Sequence, residues 1–287
     1  MSQLQDETGA ALPEPAHRSR WRRFSPSMGW RAFWSEIIIV VLGVVIALAA
    51  NEAVQEWSWR NKVREAETRL QGDITWGFLW SAERYATFPC VDAQLAALSE
   101  KIIQGPDTTK PVSTVAYNTV NDIVRIPNRP YRFPVWDTLV AEGTAMHFTR
   151  QQQALFGRIS EGMAQARVDE TDSRRLMGRL LVLRHSLVLD STLRAELLSR
   201  IEEIRYISGY QALTAQQRMR WIADAGKAPP AAVIDAFLDH RNQEVSVADF
   251  SGTAKHCRLN GLPLTDWRDY QKQTAGQQIV PIQEVMK

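Results

Sequence analysis

Cysteine is scarce in this chain of 287 residues, which contains only Cys90 and Cys257. Structural zinc sites and thioredoxin-like redox sites need closely spaced cysteines such as a C-x-x-C pair, and the sequence has none. The sequence therefore predicts neither kind of site. The uses left for the two residues are one disulfide, or two unpaired thiols that behave as small buried hydrophobes.

A surplus of one charge is also missing, since 34 basic residues face 32 acidic ones and the formal net charge is +2. Proteins that bind nucleic acids normally carry a strong basic surplus on one face, so we expect no nucleic-acid partner. With 45% hydrophobic and 23% charged residues, the chain can bury a sizeable core. The basic residues near the N-terminus are clustered: Arg18, Arg20, Arg22, Arg23 and Arg31.

Recognised catalytic motifs are absent: there is no phosphate loop, Rossmann fingerprint, nucleophile elbow or H-E-x-x-H. His240 and Glu244 stand four residues apart and could share a helix face, but without a second histidine in register an exposed helix end is the simpler reading. The charged run 169–175 is interpreted as a solvated helix face. We therefore assign no catalytic residue, no metal site and no cofactor.

The most distinctive feature is the apolar run from Ile37 to Ala50, which reads IIIVVLGVVIALAA. As a helix it would cover roughly 21 Å, less than the ~30 Å of a membrane's hydrocarbon core. The apolar neighbours Phe33 and Trp34 extend it, and a span from about residue 32 to 54 has the required length. Tryptophans would then lie at both membrane interfaces, as aromatic belts do: Trp30 and Trp34 at one end of the span, Trp57 and Trp59 at the other.

The flanking charges predict the orientation. The basic cluster precedes the span, whereas Glu52 and Glu56 follow it before Arg60, so the positive-inside rule places the N-terminus in the cytoplasm. The rest of the chain would be periplasmic. A cleaved signal peptide is the alternative, because Ala47-Leu48-Ala49 forms an A-x-A site, although the region before the apolar run is longer than usual.

The span also resembles a known pattern. Glu36-Ile37, Val40, Gly43, Ile46-Ala47-Leu48 and Asn51 are similar to the anchor of an uncharacterised family of bacterial single-span inner-membrane proteins, a domain of unknown function. Members commonly have a tryptophan two residues after the asparagine, where this chain has Ala53. A weaker similarity continues in Trp136, Leu139 and Gly143. The resemblance implies a topology and brings no activity.

Proline placement predicts a mainly α-helical fold, in which the transmembrane helix continues into a helical bundle. Proline is absent between Pro26 and Pro89 and again between Pro134 and Pro229, and apolar residues recur there at threes and fours. We expect a helix that is kinked or restarted at Pro89, a proline-rich loop that can hold a short β-hairpin, and a helical hairpin with a capping box at Thr149. The predicted organisation is a cytoplasmic tail (1–29), a transmembrane anchor (30–56) and a periplasmic helical domain (57–287), the last divided into juxtamembrane helices (57–103), a loop (104–134), a hairpin (135–228) and a C-terminal segment (229–287).

Contact candidates follow from this topology. In the span they are Glu36, Asn51 and the small pair Gly43 and Ala47, which permits close helix approach. Glu36 either pairs with a partner helix or headgroup or simply reaches the interface. Outside the span, Cys90 and Cys257 would share an oxidising compartment, so we expect a disulfide that ties down a C-terminal segment with little apolar surface of its own.

The expected function is that of a membrane-anchored periplasmic module for scaffolding or partner binding, without catalysis. Its partners would be the lipid bilayer and either a second copy or another membrane protein. The alternatives are a sensory or regulatory subunit that acts through a separate cytoplasmic partner, and a periplasmic enzyme whose cleft is covered by the loop 104–134.

Overall fold

The computed structural model describes residues 30–112, 115–117, 120–239 and 252–272, and the protein is mainly α-helical, as predicted. Two pairs of very short strands accompany the helices. In chain order the elements are α1 (Trp30–Gln104), β1 (Thr108–Thr109), β2 (Val115–Tyr117), β3 (Val120–Asp122), α2 (Pro134–Ala141), α3 (Arg150–Leu180), β4 (Leu187–Val188), α4 (Ser191–Asp224), α5 (Ala231–Asp239) and α6 (Thr253–Leu259).

The chain divides into two compact units, Met1–Glu56 and Trp57–Lys287. In the first unit, the described residues form the N-terminal part of α1. It is long and apolar enough to cross a membrane, and its apolar window is entirely exposed. A core helix of a soluble domain would bury such residues, so this part of α1 has the character of a membrane span or a signal sequence.

In the second unit, α1 buries one face from Ala66 to Ile102. The predicted spacing is confirmed: the stripe from Ala66 to Phe78 and the stripe from Val91 to Ile102 are buried. Residues spaced at threes and fours lie on one side of a helix and therefore pack against the same neighbours. Helix α1 is the longest element of this unit's core.

Helix α1 runs through Pro89 without a break, so the expected alternative of a restarted helix is wrong. Proline removes the hydrogen bond to the carbonyl four residues earlier and crowds the preceding turn. In that turn, the carbonyl of Ala86 accepts a hydrogen bond from the backbone N–H of Thr265 at 2.9 Å. This contact ties the C-terminal segment to the turn of α1 that precedes the proline.

The predicted hairpin is formed by α3 and α4, which pack against each other. Thr149 and Gln152 make the expected capping box at the start of α3. Asp190 caps α4 by accepting a hydrogen bond from the N–H of Leu193 at 2.7 Å, and α4 ends just before Gly226, whose φ of 66° suits glycine.

The loop holds the predicted β-hairpin, with β2 and β3 antiparallel and Val115 opposite Asp122. Strand β1 pairs with β4, which connects α3 to α4. The second half of the loop enters the core, since Ile123, Val124, Tyr131 and Phe133 are buried. This half is a packed part of the domain.

The C-terminal segment, 252–272, is fastened to α1. Cys90 and Cys257 form a disulfide with a Cα–Cα distance of 6.0 Å, in agreement with the prediction. The expectation that the segment has little apolar surface is wrong: Trp267 and Tyr270 are buried, and both rings pack edge-on against Phe78.

Candidate functional site

A layer of buried polar residues interrupts the core of the second unit. The apolar core has two clusters, and on α3 and α4 the buried polar residues fall between the residues of those clusters. Burial of a polar group is unfavourable unless it is hydrogen-bonded, so the partners of this layer determine its role. We call it the polar layer; its members are Ser81, Arg84 and Thr87 on α1, Glu170 and Ser173 on α3, Ser208, Gln211 and Arg218 on α4, and Tyr131 from the loop.

Arg84 and Glu170 form its central ion pair. The Arg84 Nη2 group donates to Glu170 Oε2 at 2.5 Å and to the carbonyl of Pro127 at 2.6 Å, and both charged side chains are 2% exposed. Burial, the largest effect, raises the pKa of the Glu170 carboxyl, although Arg84 acts in the opposite direction. Burial acts to lower the pKa of Arg84, but Glu170 and the nearby Tyr131 hydroxyl outweigh it, and that pKa is raised. Removal of either charge would leave the other unpaired in the low-dielectric interior, which is strongly unfavourable.

Arg218 is the second guanidinium of the layer and is 1% exposed. Its Nε donates to Ser81 Oγ and its Nη1 donates to the carbonyl of Gly162, each at 3.2 Å. Within the described residues it has no carboxylate in ion-pair distance. Burial lowers the pKa of Arg218, and repulsion from Arg84 adds to this effect. The glycine at 162 allows this approach, because a Cβ there would lie 3.2 Å from Arg218 Cδ.

Tyr131 contacts both arginines. The Arg218 guanidinium carbon lies 5.6 Å from the centre of its ring, and its hydroxyl lies close enough to Arg84 to raise the pKa of that guanidinium. The backbone φ of Tyr131 is 39°, in the left-handed region that bulky residues rarely adopt. Such strain persists only where the surroundings fix the residue, and it is typical of functional positions.

A second buried ion pair lies next to the layer. Glu83 Oε2 accepts from Arg129 Nε at 2.6 Å, and its Oε1 accepts from the backbone N–H of Thr253 at 3.2 Å. Glu83 thus joins α1 to the loop and to the start of α6. Both its oxygens are occupied by these donors.

The interpretation of 169–175 as a solvated face is wrong for its most important residue. Glu170 is buried against Arg84, and Ser173 is buried as well, while Arg174 and Arg175 are exposed and Asp172 is half-buried. The run therefore has one buried and one solvated side. The pair of Asp172 and Arg175 has an N–O distance of 3.3 Å.

The spacing of the polar layer's residues in the sequence could have revealed them. Heptad spacing of alternating threes and fours continues through the polar positions: on α3 through Ala166, Glu170, Ser173 and Met177. The same holds on the other two helices. The stripes read Leu70, Ile74, Gly77, Ser81, Arg84, the half-buried Phe88, Val91 and Leu95 on α1, and Leu197, Ile201, Ile204, Ser208, Gln211, Ala215, Arg218 and Ile222 on α4.

Two cavities open elsewhere in the second unit. One, of about 350 Å³, is lined by residues early in that unit's part of α1, including Trp59, Lys62 and Arg69. The other, of about 430 Å³, lies beside α5 and α6. Its carboxylates are already paired, since Asp235 accepts from Trp267 and from Arg268, and Asp239 pairs with Arg258.

The predicted contact residues of the span are all exposed on α1: Glu36, Gly43, Ala47 and Asn51. A Cβ placed on Gly43 would have no neighbour within 4 Å. His240 and Glu244 lie outside the described residues.

No protein-family model, no curated protein and no solved structure matches the chain. The similarity of the span to the anchor of a single-span family therefore stays a prediction that rests on the residues quoted for it.

Proposed function

We propose that this chain is a bacterial inner-membrane protein with one span, a cytoplasmic N-terminus and a periplasmic helical domain that binds a partner without catalysing a reaction. The observation that carries the proposal is the contrast along α1. Its apolar N-terminal part is exposed, whereas from Ala66 onward the helix buries a regular stripe in a folded domain. An exposed apolar helix needs a bilayer or a partner to cover it.

The disulfide supports a compartment outside the cytoplasm. Disulfides persist in the periplasm and are rare where cellular thiols keep proteins reduced. The pairing of Cys90 with Cys257 therefore fits the orientation inferred from the basic residues before the span.

Partner binding is favoured over catalysis by the accessibility of the polar groups. Glu83, Glu170, Arg84 and Arg218 are 1–2% exposed, so a substrate cannot reach them. The second half of the loop 104–134 packs into the core, which disfavours a role as a mobile cover. Exposed aromatic residues are present on α4 instead, with Tyr206 77% and Tyr210 44% exposed one turn apart, and tyrosine is enriched in protein interfaces.

Topology is tested by fusing reporters after Lys287 of the full chain. We expect an alkaline phosphatase fusion to be active and a cytoplasmic fluorescent reporter to be dark, because the charges around the span place the C-terminal part in the periplasm. A fusion after Met1 is the control and should behave in the opposite way. Activity of the cytoplasmic reporter after Lys287 would refute the orientation, and recovery of a soluble product that begins near Ala50 would establish a signal peptide.

Partner binding is tested by cross-linking the full chain in membranes and purifying it in mild detergent. We expect a discrete adduct, with a second copy through the span as the first candidate. Gly43→Ile should weaken that adduct several-fold, since isoleucine prevents close helix approach. Within the chain, a side chain at 43 meets open space, so the substitution leaves the fold of the monomer intact.

Val44→Ile, which adds one methylene group to the neighbouring position, is the matched control and should leave the adduct unchanged. An adduct that survives Gly43→Ile removes this face from the proposal. A chain that remains monomeric, with no adduct to any protein, contradicts partner binding itself.

A further inference from the structure

The turn between α2 and α3 holds two exposed side chains in a fixed position. It is a short 3₁₀ helix, Thr144–His147. Its first two residues are buried, whereas Met146 is 80% exposed and His147 is exposed as well. The next residue, Phe148, is buried and packs against two other aromatic rings. Core residues on both sides therefore fix the backbone of Met146 and leave its side chain outside. We call residues 144–147 the Met146 turn.

This turn lies against the part of α1 that follows the predicted span. The His147 ring stacks on the indole of Trp59, with the ring centroids 3.8 Å apart and the planes inclined by 15°. The Lys62 ammonium lies 4.3 Å from the centre of the same indole. The stack places the exposed side chains of the Met146 turn beside the first helical turns of the second unit.

The position of Trp59 in the chain predicts the surroundings of these side chains. Trp59 follows the predicted end of the span, at about residue 54, by roughly five residues, and five residues of α-helix cover about 7.5 Å. The head-group region on each side of the hydrocarbon core is about 5–8 Å thick. Tryptophan suits that layer, because its indole is apolar and carries one N–H donor. We therefore expect Trp59, and with it the Met146 turn, at the level of the head groups.

The cavity beside the turn is lined by charges of both signs. It is the cavity of about 350 Å³ described above, and its lining includes the cations Lys62 and Arg69 and the carboxylates Glu65 and Glu142. A zwitterionic phospholipid carries a phosphate and an ammonium group, so both kinds of side chain find an opposite charge among such head groups. A surface that recruits anionic lipids would instead carry a basic surplus.

We propose that the second unit contacts the bilayer through the Met146 turn, with Trp59 and Lys62 among the head groups of zwitterionic phospholipids. The proposal rests on the proposed function, since it requires the span to cross a membrane. A single exposed apolar side chain needs no explanation in water. Met146 differs because its turn is stacked on a tryptophan at the predicted membrane interface, and transfer of apolar surface from water to lipid is favourable. Trp57, which is 65% exposed, contributes further apolar surface at the same end of the unit.

Spin labels at single cysteines test this contact in the full chain. Met146→Cys adds one free thiol, since Cys90 and Cys257 are joined in the disulfide, and it replaces an exposed side chain. The labelled protein is reconstituted in phosphatidylcholine liposomes. Electron paramagnetic resonance then measures collisions of the label with oxygen, which concentrates in lipid, and with a water-soluble nickel chelate. We expect the ratio of oxygen to nickel collisions at 146 to be several-fold higher than at a site in water.

Val188→Cys is the matched control. Val188 is an apolar residue of the same unit and is 70% exposed. Its strand, β4, pairs with β1, which follows the C-terminal end of α1. That end is roughly 45 helical residues, or about 68 Å, from Trp59, so the label at 188 should stay in water. Addition of phosphatidylglycerol should leave the ratio at 146 unchanged, because the charges beside the turn are mixed.

Val45→Cys, within the apolar run, separates this contact from the span itself. A lipid-like ratio at 45 with a water-like ratio at 146 would overturn the contact and leave the proposed function standing. A label at 146 that meets neither oxygen nor nickel would show that protein covers the turn, which contradicts the proposal. A lipid-like ratio at 146 that requires phosphatidylglycerol would refute the assignment to zwitterionic head groups. A water-like ratio at 45 would overturn the span and the contact together.

Discussion

Glu170→Ala should lower the free energy of unfolding by about 3–5 kcal/mol, because it leaves the buried charge of Arg84 with a neutral carbonyl as its main partner. The two side chains are 2% exposed, so water cannot replace the lost carboxylate without opening the core. Urea unfolding of the full chain in detergent, followed by tryptophan fluorescence, measures the change.

Asp172→Ala is the matched control, since this carboxylate lies two residues away on the same helix and pairs with Arg175 at the surface. Exposed ion pairs contribute about 0–1 kcal/mol, so its effect should be small. A double variant, Arg84→Met with Glu170→Met, removes both charges and should recover most of the stability lost in Glu170→Ala. Loss of less than about 1 kcal/mol in Glu170→Ala would contradict the buried pair.

A buried ion pair in a helical core also fixes how the helices align. Heptad stripes of similar apolar residues can slide by one turn with little change in contacts, but a slide of α3 along α1 would separate Glu170 from Arg84 and bury both charges unpaired. The alignment of Arg218 with Ser81 and the carbonyl of Gly162 imposes the same condition on α4. We therefore expect the polar layer to favour one register of the three helices.

The helices could be predicted because their cause is local. Proline-free stretches with apolar residues at threes and fours predict α1, α3 and α4. The cap at Thr149 follows from side chains that bind the next turn. The disulfide was predictable in another way, since two cysteines allow only one intramolecular pair.

The sequence analysis missed the polar layer because it assigned charged residues to the surface without regard to their position on the helix. Glu170 lies in a run of charged residues, which is usually solvated, yet it occupies a stripe position between Ala166 and Ser173. A charged residue in such a position is either a defect or one half of a buried pair, and the pair becomes visible only when Arg84 is found in the same situation on α1.

The conformation and position of Tyr131 could not be predicted from the sequence. Its left-handed φ and its place between two arginines result from the path of the loop between Pro127 and Pro134, and no periodic pattern describes that path. The docking of the C-terminal segment is similar, since the hydrogen bond from Thr265 to Ala86 joins residues 179 positions apart. Contacts of this kind depend on the assembled fold.

Replacing both cysteines by alanine should lower the free energy of unfolding by about 5 kcal/mol, because the bond between Cys90 and Cys257 restricts a loop of 167 residues in the unfolded chain. Urea unfolding of the double variant and of the wild type, each as the full chain in detergent, measures the difference. In intact cells, the wild type should offer no free thiol to a maleimide until it is denatured and reduced, and two thiols afterwards.

In the folded double alanine variant, the C-terminal segment should stay packed against α1, although the free energy of unfolding is lower. Trp267 and Tyr270 still pack against Phe78, and Thr265 still binds the carbonyl of Ala86, so the segment keeps its place when the covalent bond is removed. Trp267→Ala in the chain with an intact disulfide is the complementary variant, because it removes the packing and keeps the bond. It should lower the free energy of unfolding by about 3–5 kcal/mol. Amide hydrogens of the segment should then exchange faster than in the wild type. If the double alanine variant unfolds at the same urea concentration as the wild type, the bond does not restrict the unfolded chain, and the stabilising role of the disulfide is refuted.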